Sequence, residues 1–271
     1  IKGARHFSFE EIVSYLEEKT HETVLEINLN AISHNLNFYK SKLKDFSKLF
    51  TDRSDASGTG YFDPQSSTYR RDILAKALLS DREIYLPTII APSTFGGTTT
   101  AGIPIAPGAG DNAGAALGVQ AEPGDVVISL GTSGTAFAVS TTSTHDSSGE
   151  VAGFADGTGY FLPLVCTLNA ARILDAATRI LGVTHEELGE LALKAEAGAN
   201  GLTLLPYFEG ERTPNRPDAT GVFSGMNLGN SNREDFARAM IEGMLCGMAD
   251  AVASLEKLGV EVKRILIVGG A

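Results

Sequence analysis

The stretch Gly108-Ala-Gly-Asp-Asn-Ala-Gly114, with Ser129-Leu-Gly-Thr-Ser-Gly134 close behind it, constrains the fold more than any other part of this chain. Glycine-dense turns at the ends of apolar runs belong to α/β architectures, where the backbone reverses sharply and stays open to a ligand. The first stretch predicts a glycine-rich strand-to-helix turn carrying one carboxylate, Asp111. With a reference pKa of about 4, that carboxylate is ionised at neutral pH and can accept a proton. Successive N–H groups in the second turn, with the hydroxyls of Thr132 and Ser133, can face phosphates. A base beside a phosphate-holding turn suits phosphoryl transfer from a nucleotide to a hydroxyl.

Each of these features also has a plain structural reading. Asp111 before Asn112-Ala-Gly-Ala-Ala suits a helix N-cap. Gly131 to Gly134 suits a tight hairpin. Gly269-Gly270 after a buried strand marks a turn, or lets an adenosine ring lie flat against backbone. Glu211-Arg212 reads as a surface ion pair ordering a loop. Two familiar nucleotide motifs are excluded. Gly108-x-Gly110-x-x-x-Gly114 has one residue too many for the dinucleotide fingerprint, and position 131 is Gly where an acid is required. No G-x-x-x-x-G-K-[ST] occurs.

Composition narrows the partners. A net charge of −11 argues against nucleic acid and anionic membranes. It leaves ATP open, because backbone amides and Mg²⁺ bind phosphates on acidic proteins. The five histidines form no H-x-H or H-E-x-x-H pattern, so no metal site of the chain's own is expected. Cys166 and Cys246 sit in apolar contexts and read as buried thiols. No apolar run is long enough to span a bilayer and no signal peptide is evident, which predicts a cytoplasmic protein.

Local patterns predict helices over 7–19, 30–43, 69–80, 112–119, 167–182, 185–196 and 232–258, the last two boxed by Thr184/Glu187 and Ser231/Glu234. Strands are expected over 23–29, 103–108, 125–130, 135–140, 151–154, 160–165 and 263–268, with a short start at 48–50. Residues 52–60 read as polar and turn-rich. Strands grouped before helices, with a helix feeding a terminal strand, predict a mixed α/β sheet flanked by helices.

These residues in this order resemble the FGGY family of carbohydrate kinases. The likeness rests on SDASGTGYFDP (54–64), GAGDNAGAALG (108–118), SLGTSG (129–134), FLPLVCTLNAARILD (161–175) and LPYFEGERTPN (205–215). GVFSG (221–225) with DFARAMIE (235–242) resembles the family's C-terminal signature. Within the family the motifs are nearest to its xylulokinase branch. The resemblance implies an actin/hexokinase-like (ribonuclease H-like) α/β fold. It implies Asp111 as the general base, Asn112 as a sugar contact, and ATP at Gly131, Thr132, Ser133, Gly134, Gly269 and Gly270. It implies Mg²⁺ on the phosphates and D-xylulose as the sugar. By the same resemblance, 51–122 is the tail of the family's N-terminal domain and 123–271 its C-terminal domain.

Departures accompany the likeness. The family's opening D-x-G-T/S turn does not precede Thr51, and Ile265-Leu-Ile-Val-Gly-Gly-Ala271 stops at a glycine turn. The chain reads as an internal fragment, expected to turn over slowly or not at all alone. Residues 1–50 resemble instead the junction of a peptidoglycan ligase fused to an alanine racemase, without the pyridoxal-binding lysine motif. A non-catalytic nucleotide-binding fragment, a chimera with no function of its own and, weakest, a racemase fragment are the alternatives.

Overall fold

A computed structural model describes residues 49–269. The elements expected over 7–19, 23–29 and 30–43, the racemase-like reading of 1–50 (all but its last two positions), and Gly270 lie outside the described residues.

The chain opens with β1 (Phe50–Thr51), which pairs in parallel with β4 (Thr88–Ile89). The polar stretch after it is a helix rather than a run of turns. The Asp52 side chain accepts from the backbone N–H groups of Ser54 and Asp55 and starts α1 (Arg53–Ser57). A hairpin, β2 (Phe62–Asp63) and β3 (Thr68–Tyr69), leads into α2 (Arg71–Leu78). The strand expected over 103–108 shrinks to an exposed pair, β5 (Gly97–Thr98) with β6 (Pro104–Ile105). Prolines at 104 and 107 supply no N–H, so no ladder extends across this stretch. The turn before Asp111 is therefore fed by a loop and not by a buried strand.

After α3 (Asp111–Gly118) the chain builds a five-stranded sheet. Its strands are β7 (Asp125–Leu130), β8 (Gly134–Ala138), β9 (Val151–Ala155), β10 (Phe161–Thr167) and β13 (Arg264–Gly269), in the order β13-β7-β8-β10-β9. Only β13 and β7 run parallel; the other pairs are antiparallel. The apolar run of β7 is buried on both faces, which explains why it carries no polar alternation. Val126, Ile128 and Leu130 face one helical layer, and Val127 faces the other way.

The first layer contains α4 (Ala171–Leu181), α5 (His185–Lys194) and α6 (Arg233–Lys257). The Thr184/Glu187 box on α5 forms in both directions. The box expected from Ser231 and Glu234 lies one residue further on. Asn232 takes the extended cap conformation and accepts from the Asp235 N–H at 2.9 Å, while the Ser231 hydroxyl donates to the Leu228 carbonyl. The short strands β11 (Thr203–Leu205) and β12 (Val222–Ser224) form a ribbon against α6. On the other face of the sheet, Ala113 and Ala116 of α3 pack on Val127, Phe137, Leu162 and Leu164. Helix α4 begins at Ala171 rather than 167, because Thr167 still belongs to β10. Cys246 is exposed on α6, against expectation: Met244 and Met248 on either side of it take the inward positions.

One ion pair ties the two parallel strands. Asp125, 5% exposed, meets the Arg264 guanidinium through two hydrogen bonds of 2.5 and 2.9 Å. That guanidinium holds the Asp125 carboxyl below the usual carboxylate range. The stabilisation is therefore fully present above the unfolded-state pKa, about 3.9, and lost as pH falls through the lower folded value. Thermal melts between pH 7 and 3 are expected to show an acid loss of Tm that Asp125→Asn makes shallower. An unchanged acid limb in that variant refutes the assignment.

Candidate active site

Two residues that sequence reading did not single out hold the first glycine turn. The Asp52 carboxylate caps α1 and also accepts from the Ser54 hydroxyl. Ser54 in turn accepts from the Gly110 N–H at 2.9 Å, across 56 residues of sequence. Both side chains are buried. This tether sets Gly110 in an extended conformation and makes it the N-cap of α3. Asp111 is consequently the first residue of the helix and not its cap, which overturns the capping reading. Its Oδ1 accepts from the Asn112 N–H at 2.8 Å and from Asn112 Nδ2 at 3.2 Å. Asp111 is exposed, and its Oδ2 makes no hydrogen bond to a described residue. A carboxylate oriented through one oxygen and open at the other can accept a proton from a docked hydroxyl.

Asp111 and Asn112 line a cavity of about 230 Å³ together with Ser54, Asp55, Gly110 and Phe154. Asp55 adds a second carboxylate to this hollow. The signal for it was the lone acid of the stretch SDASGTG, which the turn-rich reading passed over.

The second glycine turn joins β7 to β8. Leu130 and Gly134 are its closing pair, and Gly131, Thr132 and Ser133 stand exposed between them. The Gly131 N–H donates to the Ser133 carbonyl at 3.2 Å, and the Gly131 carbonyl accepts from the Ala171 N–H at 2.9 Å. The Thr132 and Ser133 hydroxyls make no hydrogen bond to a described residue. Gly134 is buried, and a Cβ there would lie 2.5 Å from Met248 Sδ and 2.7 Å from Thr167 Oγ1. Close passage of α6 beneath the turn is what requires this glycine. Gly269 pairs with Leu130 across β13 and β7, which sets it beside the same turn.

Cys166 links the two regions. It pairs with Thr135, one residue past the glycine turn, and packs in the same apolar cluster as the first turn of α3. Burial pushes the Cys166 thiol above its ordinary pKa, the Arg212 guanidinium pulls it down and Asp111 pushes it up. Glu211 departs from expectation: it is 3% exposed and pairs with no described cation. It accepts from the N–H groups of Leu168 and Arg212, each at 2.7 Å, and from Asn169 Nδ2 at 2.9 Å. A loop glutamate becomes a buried acceptor because the Leu168 and Arg212 N–H groups would otherwise be unpaired. Among the described residues, no group of three or more His, Cys, Asp or Glu is placed to hold a metal ion. No described helix is long and apolar enough to cross a membrane.

A mixed sheet layered by helices, with an open carboxylate at the first residue of α3 and an exposed glycine turn between β7 and β8, defines an α/β protein whose candidate site residues stand on two glycine turns. The model of the "FGGY family of carbohydrate kinases, C-terminal domain" matches residues 126–271, and the chain belongs to this family. Its fold is actin/hexokinase-like, as in its structural neighbours. The chain is 42% identical over 184 residues to a xylulose kinase of Streptomyces coelicolor, covering 65% of this chain and 36% of that protein. It is 30% identical to the xylulose kinase of Haemophilus influenzae, covering 82% of this chain and 48% of that protein. The crystal structure of xylulose kinase from Bifidobacterium adolescentis superposes with a TM-score of 0.76 at 49% identity, covering 83% of this chain and 48% of that one. Plasmodium falciparum glycerol kinase with ADP shares the fold alone, with a TM-score of 0.69 at 20% identity. The chain spans about half the length or less of these relatives.

Proposed function

We propose that this chain carries the base and the nucleotide turn of a xylulokinase-type phosphotransferase. The reaction is ATP plus D-xylulose giving ADP plus D-xylulose 5-phosphate. The Asp111 carboxylate takes the proton of the attacking sugar hydroxyl, and the hydroxyl oxygen forms the new bond to the γ-phosphorus as the bond to the β-phosphate oxygen breaks. Asn112 contacts the sugar, in the hollow it shares with Asp55. The exposed N–H groups and hydroxyls of Thr132 and Ser133 receive the phosphates, Gly131 and Gly134 shape the turn that presents them, and Gly269 and Gly270 receive the adenosine side. Mg²⁺ would be carried on the phosphates, where it would neutralise their charge. In this reading 51–122 supplies the sugar-side elements and 123–271 the nucleotide-side domain.

The observation that carries the reading is a shared apolar cluster: Ala113 and Ala116 of the helix that begins at Asp111 pack on Val127 of β7 and Phe137 of β8, the two strands that the 131–134 turn joins. Calorimetric titration with Mg·ADP, with single-turnover transfer of labelled γ-phosphate to D-xylulose, tests it. Binding with transfer supports the full reading. Binding with no transfer leaves a nucleotide-binding module, and no binding removes the nucleotide assignment.

Gly131→Val probes the turn itself. A Cβ at Gly131 meets only the Ser133 carbonyl oxygen, at 3.4 Å, so the fold has room for it. The branched side chain covers backbone that would face phosphate. The expected result is a Kd for Mg·ADP raised at least about 10-fold, a loss of about 1.4 kcal/mol, with little change in Tm. An unaltered Kd argues that phosphate binds elsewhere.

A further inference from the structure

We infer that Glu211 is a positioning residue that fixes the 131–134 turn through the segment 168–171, an inference that rests on the nucleotide role just proposed for that turn. The geometry is a chain of short links. The two oxygens of Glu211 hold three N–H donors: those of Leu168 and Arg212 on Oε1, and Asn169 Nδ2 on Oε2. Asn169 Nδ2 also donates to the Gly210 carbonyl at 2.7 Å. Two residues on, the Ala171 N–H holds the Gly131 carbonyl. The loop side is anchored as well. The Thr213 hydroxyl donates to the Cys166 carbonyl at 3.0 Å, and the Glu211 and Arg216 backbones exchange two hydrogen bonds of 2.8 and 2.9 Å.

Segment 168–171 is therefore bonded to Glu211 at Leu168 and Asn169 and to Gly131 at Ala171. Helix α4 has no side-chain cap at Ala170, and its first N–H, that of Ala171, is held by the Gly131 carbonyl. Glu211 and Asn169 are both buried, so their geometry is enforced by packing and not traded for water. A turn that must present several N–H groups to phosphates gains affinity when its shape is set before the ligand arrives. Glu211 touches no ligand in this assignment; it acts through Asn169, Leu168 and Ala171.

Glu211→Gln is the informative change. It keeps Oε1 for Leu168 and Arg212 but sets an amide N–H against Asn169 Nδ2, donor against donor. The expected result is faster hydrogen exchange at the Ala171 and Gly131 amides by about 10-fold, with the Kd for Mg·ADP raised by a similar factor. Leu255→Ala, a core variant remote from this loop, lowers Tm without moving either readout, which separates positioning from general destabilisation. If Glu211→Gln fails to fold, Asn169→Ala is read in the same two assays. Should the folded variants exchange and bind like the parent, Glu211 has no positioning role. If the parent binds no Mg·ADP, the nucleotide reading falls by itself, and the exchange rates still decide whether Glu211 holds the turn.

Discussion

Asp111→Asn is expected to lower single-turnover phosphorylation of D-xylulose by about 10²- to 10⁴-fold, the usual contribution of a positioned general base. The amide oxygen of Asn can still accept from the Asn112 N–H, so the start of α3 is preserved. The side chain is exposed and its second oxygen makes no hydrogen bond to a described residue, so stability is expected to change by no more than about 0.5 kcal/mol. What the substitution removes is the negative charge and the proton acceptor. Labelled-phosphate transfer over a range of quench times, with a melt on the same sample, separates the two effects. A loss smaller than about 10-fold with an intact Tm would show that Asp111 is not the base. Asp55, the other carboxylate of the same hollow, would then be the residue to replace next.

Gly225→Ala is expected to be among the most damaging single-methyl changes. Gly225 has φ of +76°, and a Cβ there would stand 2.2 Å from the Gly201 carbonyl oxygen. That oxygen belongs to backbone, so it cannot move aside as a side-chain tip would. The Gly225 carbonyl also accepts from Nδ2 of Asn230, a fully buried residue whose amide bonds the Asn200 carbonyl as well. Left-handed conformation costs a non-glycine residue about 1–2 kcal/mol, and forcing extra volume into a packed site about 1–3 kcal/mol more. A loss of about 3 kcal/mol follows. At roughly 2–4 °C per kcal/mol for a domain of this size, Tm falls by about 6–12 °C. Gly114→Ala is the matched control: it lies within α3 with nothing within 4 Å of its added Cβ, and is expected to hold or slightly raise Tm. Equal melts for the two variants would refute the steric account.

Much of the fold was legible because its signals are local. The apolar runs of β7 and β8 and the glycines between them predict the hairpin, and both strands lie within one residue or two of expectation. The capping box of α5 needs only four consecutive residues, and it formed. The cap of α6 was misplaced by one residue because Ser231 and Asn232 both suit the position. Asn232 wins through Asp235, which is buried and also takes the Asn200 amide from a distant turn. The strand expected over 103–108 failed where prolines broke the ladder, and the inward thiol expected at 246 failed because a helix position has no face until its neighbours are in place.

By itself, the sequence determined the class of chemistry and the residues able to perform it: an acid on a glycine turn, a second glycine turn, and a family signature spread from 54 to 242. Those properties reside in residue type and short spacing, and no folding is needed to state them. Only the tertiary structure decided how they are held. It put Ser54 under Gly110, Gly269 beside Leu130, and Glu211 in the interior among three N–H donors. The reason is physical: a buried polar group needs its partners wherever in the chain they lie. The partners of Ser54 and Glu211 are 56 and 43 residues away, beyond the reach of any local pattern.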